Sequence, residues 1–287
     1  MTSCSRIEIR RCRPLLGTFV EITASHSEAI QSAFAAIARI HTLMSFHDPG
    51  SDVSRLNRFA ANRALPVSCE TYEVLTCAKE IHATTGGVFD LAVAPELMRW
   101  GWLPGTPACR TRGRTCDIAL LPGRRVRFLR RMQIDLGGIA KGYAVDKAIE
   151  ALRAHGARSG LVNAGGDLRY FGDRERQIWL RHPHAPGAFV RLPALKDVAL
   201  ASSANSYQRT RRSGRIVCAH VDGRSRRPLL RPFSVSVRAA SCLVADALTK
   251  VVLAFGDDSG PVLAQFNAMA YIARADNRLT PRYGESV

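Results

Sequence analysis

Apolar residues fall into two periodicities along this chain, and together they lay out its elements. Ile30, Phe34, Ile37, His41 and Met44 share one face at helical spacing, and Ser25-His26-Ser27-Glu28 just ahead fits a capping box. On so apolar a stripe His41 reads as a packed side chain, not a functional one. Val74, Leu75, Ala78 and Ile81 mark a second helix over roughly 71–83, ending near Gly86-Gly87. Val145, Ala148, Ile149 and Leu152 mark a third, which Gly156 stops. Leu248, Val251, Val252 and Phe255 mark a fourth, capped by Ser241 and closed by Gly256. Short or alternating apolar runs predict strands at 15–23 (interrupted by Gly17), 125–129 within a polar hairpin over 110–131, 134–135, 161–162, 198–201, 235–239 and 269–273. Residues 177–192 are expected to continue the sheet. The succession predicts an α+β architecture, mixed or antiparallel sheets with helices packed on them. No linker or low-complexity segment divides residues 1–287, so one domain is expected.

Within this pattern one stretch, Ile134 to Gly172, carries the candidate chemistry. A short strand stops at Asp135, and a glycine turn (Gly137, Gly138) leads into the third helix, with Gly142 near its start. After that helix a second strand runs into Asn163-Ala164-Gly165-Gly166-Asp167. Two strand ends thus each deliver a carboxylate and a glycine turn. Glycines admit close backbone approach, and the first turn of a helix offers unpaired N–H groups to anions. A phosphate or nucleotide cradle fits this arrangement, and so does a strand–helix–strand unit that glycines merely tighten. Neither G-x-G-x-x-G nor G-x-x-x-x-G-K-[ST] is present.

Composition narrows the classes. No apolar run approaches the length of a membrane span. Met1 to Arg13 is basic without a signal-type apolar region, so a cytoplasmic location is expected. The cysteines form no C-x-x-C pair and no zinc spacing and read as small packed residues or free thiols; Cys109 and Cys116 flank an arginine-rich loop, and no pairing between them is expected. The formal charge is +17, and lysine occurs only at positions 79, 141, 147, 196 and 250. Arginines crowd 110–131 and 209–231, without interleaved aromatics or a recognition helix, so no specific nucleic-acid partner is expected. A charge of this sign also suits an acidic partner or a dinucleotide pyrophosphate.

The motifs resemble those of one family. Asp135-Leu136-Gly137-Gly138-Ile139-Ala140-Lys141-Gly142-Tyr143-Ala144-Val145-Asp146, followed by Val162-Asn163-Ala164-Gly165-Gly166-Asp167, is similar to the signature of the FAD:protein FMN transferases, the ApbE-like flavin transferases. Gly87-Val88-Phe89-Asp90-Leu91-Ala92-Val93-Ala94-Pro95 with Trp100-Gly101 resembles the family's next motif. Ser202-Ser203-Ala204-Asn205-Ser206-Tyr207 resembles a family turn. His220-Val221-Asp222 matches a family element less well, with Gly223 in place of a proline and Arg226 in place of a glycine. The resemblance covers nearly the whole chain.

It implies an enzyme that splits the FAD pyrophosphate, joins FMN through its phosphate to a threonine or serine of a target protein, and releases AMP. Hydrolysis of FAD to FMN and AMP, or flavin binding without catalysis, are the alternatives. By the same resemblance Leu16, His47, Ala92, Val93, Ala94, Asp135 and Lys141 contact the flavin nucleotide. His47 stands where relatives carry an aromatic, and Leu16 where they carry methionine. His220 is a candidate acid–base group. Magnesium is implied at the carbonyl of Gly138 and the carboxylate of Asp246. The departure is at Lys250, where the family pattern D-A-[LI]-x-T has threonine and Thr249 stands one position early. Asp246 and Lys250 share a helical face, so they form either an i, i+4 ion pair or a phosphate-directed catalytic group.

Overall fold

The computed structural model describes residues 8–107, 113–182, 185, 187–192, 194, 196–204, 209–212, 214–274 and 279–283. In chain order, β1 (Ile9–Leu15) and β2 (Thr18–Ala24) form a hairpin; α1 (Ser27–Met44), α2 (Asp52–Phe59), β3 (Leu65–Pro66), α3 (Cys69–Thr84) and α4 (Ala94–Arg99) follow. Next come the hairpin of β4 (Ile118–Leu121) and β5 (Arg125–Phe128), then α5 (Ala140–Ala154), β6 (Gly160–Ala164) and β7 (Asp167–Phe171). β8 (Trp179–Arg181), β9 (Phe189–Arg191), β10 (Val198–Ala204), β11 (Thr210–Arg212), β12 (Arg215–Val217) and β13 (Ser234–Ala239) precede α6 (Cys242–Phe255). The chain continues through α7 (Gly260–Gln265), β14 (Met269–Ala273) and β15 (Leu279–Tyr283).

Eight strands make one sheet in the order β1-β2-β6-β7-β10-β13-β14-β15, and each neighbouring pair is antiparallel. α1, α5 and α6 lie side by side on one face of it. The strands alternate as a two-sided sheet requires. Along β7, Asp167, Arg169 and Phe171 point toward the helices, while Leu168 and Tyr170 point away. Along β10, Ala199 and Ala201 join the helix-side core, and Val198 and Leu200 the opposite one. Two polar pairs bind sheet to helix inside this packing: Arg169 to Asp146 of α5, and Ser203 Oγ to Thr249 Oγ1 of α6 at 2.8 Å. Asp146 also accepts the N–H groups of Cys242 and Leu243 at 3.0 and 2.9 Å, so α5 caps the start of α6.

Several expectations change. Gly17 does not interrupt a strand; Leu16 and Gly17, with φ of 55° and 69°, form the two-residue turn between β1 and β2. The expected capping box at Ser25 does not form. Ser25 belongs to the bend after β2, the cap position falls to His26 without a side-chain bond, and the Ser25 hydroxyl is buried with no partner among the described residues. His41 is exposed, because Ile40 takes the inward position after Ile37. Residues 134–135 join no strand. The side chain of Asn57 takes both backbone groups of Ile134, with its Nδ2 donating at 2.9 Å and its Oδ1 accepting at 2.7 Å. β8 and β9 do not extend the sheet; they pair with each other, and Ile178, Leu180 and Leu192 cover its second face. α2, capped by Ser51, was not evident in the pattern, nor were α4 and β15. Cys109 and the turn at 205–208 lie outside the described residues. No helix among the described residues is long and apolar enough to cross a membrane.

Candidate active site

The helix-side face of the sheet ends in a cluster of buried carboxylates and part-buried ammoniums. α5 begins directly after the Gly137-Gly138 turn, and Asp135 Oδ2 accepts the Gly137 N–H at 3.0 Å to close that turn. The backbone of Asp135 is tied to the neighbouring loop through its N–H to the Leu91 carbonyl, 2.9 Å. Lys141, in the first turn of α5, reaches across to Asp167, the first residue of β7. Asp246, in the second turn of α6, is fully buried; its Oδ2 accepts the N–H of Gly142 at 3.1 Å. That contact sets a carboxylate against the start of α5, where the helix dipole favours negative charge.

The contact depends on glycine at 142. A Cβ there would overlap the Cys242 carbonyl oxygen and lie 2.8 Å from Asp246 Cβ. α5 and α6 therefore approach at backbone distance, and this brings the cluster together.

Lys250 completes it. Its ammonium bonds Asp246 Oδ1 and also donates to the Asp246 carbonyl at 2.9 Å. The lysine stem runs past the glycine turn, where a Cβ on Gly138 would meet Lys250 Cε at 3.6 Å. Thr249 does not stand in for the expected threonine. Its hydroxyl is buried, donates to the Asp246 carbonyl at 2.7 Å and pairs with Ser203 toward the sheet.

The electrostatics follow from burial and from these neighbours. Burial alone would raise the Asp246 carboxyl, but Lys141 and then Lys250 hold it below the usual range, so it is ionised. Asp167 moves the other way, raised by burial and by the charge of Asp246. Burial pulls Lys141 down, but Asp167 and Asp246 overcome that and raise it, so the ammonium persists. His220 is buried, and burial followed by the charges of Lys250 and Lys141 takes it to about 3. It is a neutral imidazole at physiological pH, and the same surroundings make it a weak base.

Among the other residues singled out from the sequence, His47 and the run 92–94 connect to Asp135, and Leu16 does not. His47 follows α1 and lies close enough to Asp135 to act on its charge. Ala92, Val93 and Ala94 lead into α4 directly beyond Leu91, the residue that holds Asp135. Leu16 sits in the β1–β2 turn and packs on the main core. That turn neighbours the β6–β7 turn, since Thr18 closes on Gly165. No bond among the described residues ties Leu16 to the charge cluster.

Arg226, in the sequence only a departure from a motif, positions this loop. It is buried with φ 57°, a conformation that glycine adopts freely. Its guanidinium donates to the Ala92 carbonyl at 2.6 Å, to Asp90 Oδ2 at 3.1 Å and to the Gly113 carbonyl at 2.8 Å. Asp90 in turn accepts the Ala92 N–H at 2.8 Å. Lysine cannot make this planar fork. Arg226→Lys is therefore expected to lose about 1–3 kcal/mol of stability and to weaken flavin binding, as read by denaturant unfolding and flavin fluorescence. Asp167 was visible as a strand-end carboxylate, but its pairing with Lys141 was not.

Magnesium is the ion implied at Gly138 and Asp246. Such an ion takes oxygen ligands in near-octahedral geometry. Here one oxygen of Asp246 is on an ammonium, the other is on a backbone N–H, and the stem of that lysine passes the Gly138 turn. No group of three or more His, Cys, Asp or Glu among the described residues is arranged to hold a metal. As arranged, this donor set does not fit the ion.

The chain was then compared with known proteins. The model of the ApbE family matches residues 16–273. A FAD:protein FMN transferase of Haemophilus influenzae is 25% identical over 281 residues, spanning 89% of this chain and 81% of that protein. One from Rhodobacter capsulatus is 28% identical over 286 residues, covering 92% of this chain and 54% of that protein. Among solved structures, the ApbE protein of Thermotoga maritima superposes with a TM-score of 0.84 at 26% identity, over 96% of this chain and 97% of that one.

Proposed function

The chain belongs to the ApbE family, and from that premise we propose that it is a FAD:protein FMN transferase. FAD is the substrate, FMN is joined through its phosphate to a threonine or serine hydroxyl of an acceptor protein, and AMP leaves. The observation that carries this reading is the pair of part-buried ammonium groups on buried carboxylates, Lys141 on Asp167 and Lys250 on Asp246, by the start of α5 and the Gly137-Gly138 turn.

Phosphoryl transfer asks an enzyme mainly for charge neutralisation and in-line positioning. Lys141 and Lys250 supply fixed positive charge for the pyrophosphate. Ala92, Val93 and Ala94 offer small residues against which a flat ring can lie, with His47 and Asp135 at its edge. The negative charge of bound pyrophosphate offsets Lys250 and Lys141, which hold His220 down. His220 then takes the proton of the acceptor hydroxyl as its oxygen bonds to the FMN phosphorus, and the bridging P–O bond breaks with its electron pair on AMP. The acceptor protein is a partner defined by its hydroxyl; the site itself does not specify its sequence.

A pocket that holds both halves of the dinucleotide should bind FAD more tightly than FMN. Titration followed by flavin fluorescence is expected to give at least a roughly tenfold difference, or about 1.4 kcal/mol. Equal affinities would remove the adenine side from the account.

A further inference from the structure

The geometry around Asp246 points to a chain that carries its own cation. We propose that the Lys250 ammonium supplies, beside the FAD pyrophosphate, the positive charge that a divalent metal would otherwise supply, so that transfer proceeds without added metal. This rests on the reading of the site as an FAD site.

Three observations converge. First, the Lys250 ammonium sits on the Asp246 carboxylate while its stem passes the Gly138 turn, with Cε 3.6 Å from where a Cβ on Gly138 would stand, so the side chain occupies ground beside the carboxylate that a hard cation would need. Second, the oxygens that such a cation would recruit are committed: Asp246 Oδ2 to Gly142 N–H, and the Thr249 hydroxyl to the Asp246 carbonyl and Ser203. Third, the cluster is already neutral, with Lys141 and Lys250 against Asp167 and Asp246. A divalent ion would add two positive charges beside two ammoniums, whereas the pyrophosphate of FAD brings two negative ones. An ammonium has three N–H donors, and among the described residues Asp246 uses two of those on Lys250. The third is left for a phosphate oxygen.

In the step itself Lys250 keeps its proton. The acceptor oxygen bonds to the FMN phosphorus, its proton passes to His220, and the bridging P–O bond opens toward AMP. Lys250 balances the charge that moves onto the bridging and non-bridging oxygens and is neither consumed nor titrated.

The experiment measures AMP release from FAD, by chromatography, for the wild-type chain with a protein extract supplying the acceptor hydroxyl, in chelator and across a magnesium series. Binding of Mn2+ alone is followed by calorimetry. The proposal expects turnover in chelator within about twofold of that in magnesium, and no stoichiometric Mn2+ binding. Lys250→Thr, checked for folding by thermal unfolding, should lose roughly 100-fold in chelator and bind Mn2+ measurably. Wild-type turnover that vanishes in chelator and returns with magnesium would overturn the proposal while leaving the flavin-transfer reading intact. Wild type that neither binds FAD nor releases AMP in any condition would overturn both. If Lys250→Thr does not fold, the wild-type chelator series and the Mn2+ measurement decide alone.

Discussion

Asp246→Asn should lower kcat for AMP release by about 100-fold or more without weakening FAD binding. Asp246 is fully buried and holds three things at once: the Lys250 ammonium, the Gly142 N–H and, through charge, Lys141. Asparagine keeps the shape and an oxygen for Gly142, but it cannot hold two ammoniums in place. A released lysine can still meet a phosphate, so ground-state binding survives or tightens. What is lost is the fixed placement of charge where it develops during transfer, the quantity that governs kcat. Asp246→Ala goes further and leaves the ammoniums uncompensated in a buried site, at a cost of about 3–5 kcal/mol. Steady-state kinetics of the asparagine variant, with flavin titration beside it, checks the first; denaturant unfolding of the alanine variant checks the second. An asparagine variant with wild-type kcat would reduce the Asp246–Lys250 contact to an ordinary helix pair.

The second large effect is expected at Gly142. In an exposed helix interior Gly→Ala stabilises by about 1 kcal/mol. Here the added methyl would overlap the Cys242 carbonyl and crowd Asp246, so α5 and α6 must separate. The net outcome is a loss of about 3 kcal/mol, together with the Gly142 N–H to Asp246 bond and most of the turnover. A lower unfolding midpoint at unchanged denaturant slope is the expected signature. An alanine variant as stable as wild type would mean that helix spacing is not set at this residue.

The residues that announced themselves in the sequence are those whose partners lie nearby along the chain. The stripe Val145, Ala148, Ile149 and Leu152 is buried, as its period required. Asp246 and Lys250 meet because four residues separate them on one helix. The first stripe was read correctly at Ile30, Phe34, Ile37 and Met44 but not at His41, since i+3 and i+4 both satisfy the period and only packing selects Ile40. Ile134 looked like a strand because it is extended and apolar. Its hydrogen bonds come from Asn57, a side chain 77 residues away, which no local pattern encodes. Arg226 belongs to the same class: its partner Asp90 is 136 residues distant, and only a misplaced arginine in a glycine position hinted at it. Leu16-Gly17 was legible as a break, but a turn between two strands needed β1, whose Ile9-to-Leu15 run is basic, mostly exposed and poor in apolar alternation. Antiparallel pairing throughout the large sheet could not be separated from a mixed one, because strand direction depends on long-range pairing.

The account stands on FMN moving from FAD to protein. The most direct measurement incubates the chain with FAD and a protein extract, quantifies AMP by chromatography and reads protein-bound flavin by fluorescence after denaturing electrophoresis. The predicted result is flavin that survives denaturation on an acceptor band, with one AMP released for each FMN attached and both products formed about 100-fold more slowly with Asp246→Asn. AMP accompanied only by free FMN, or no AMP at all, would contradict it.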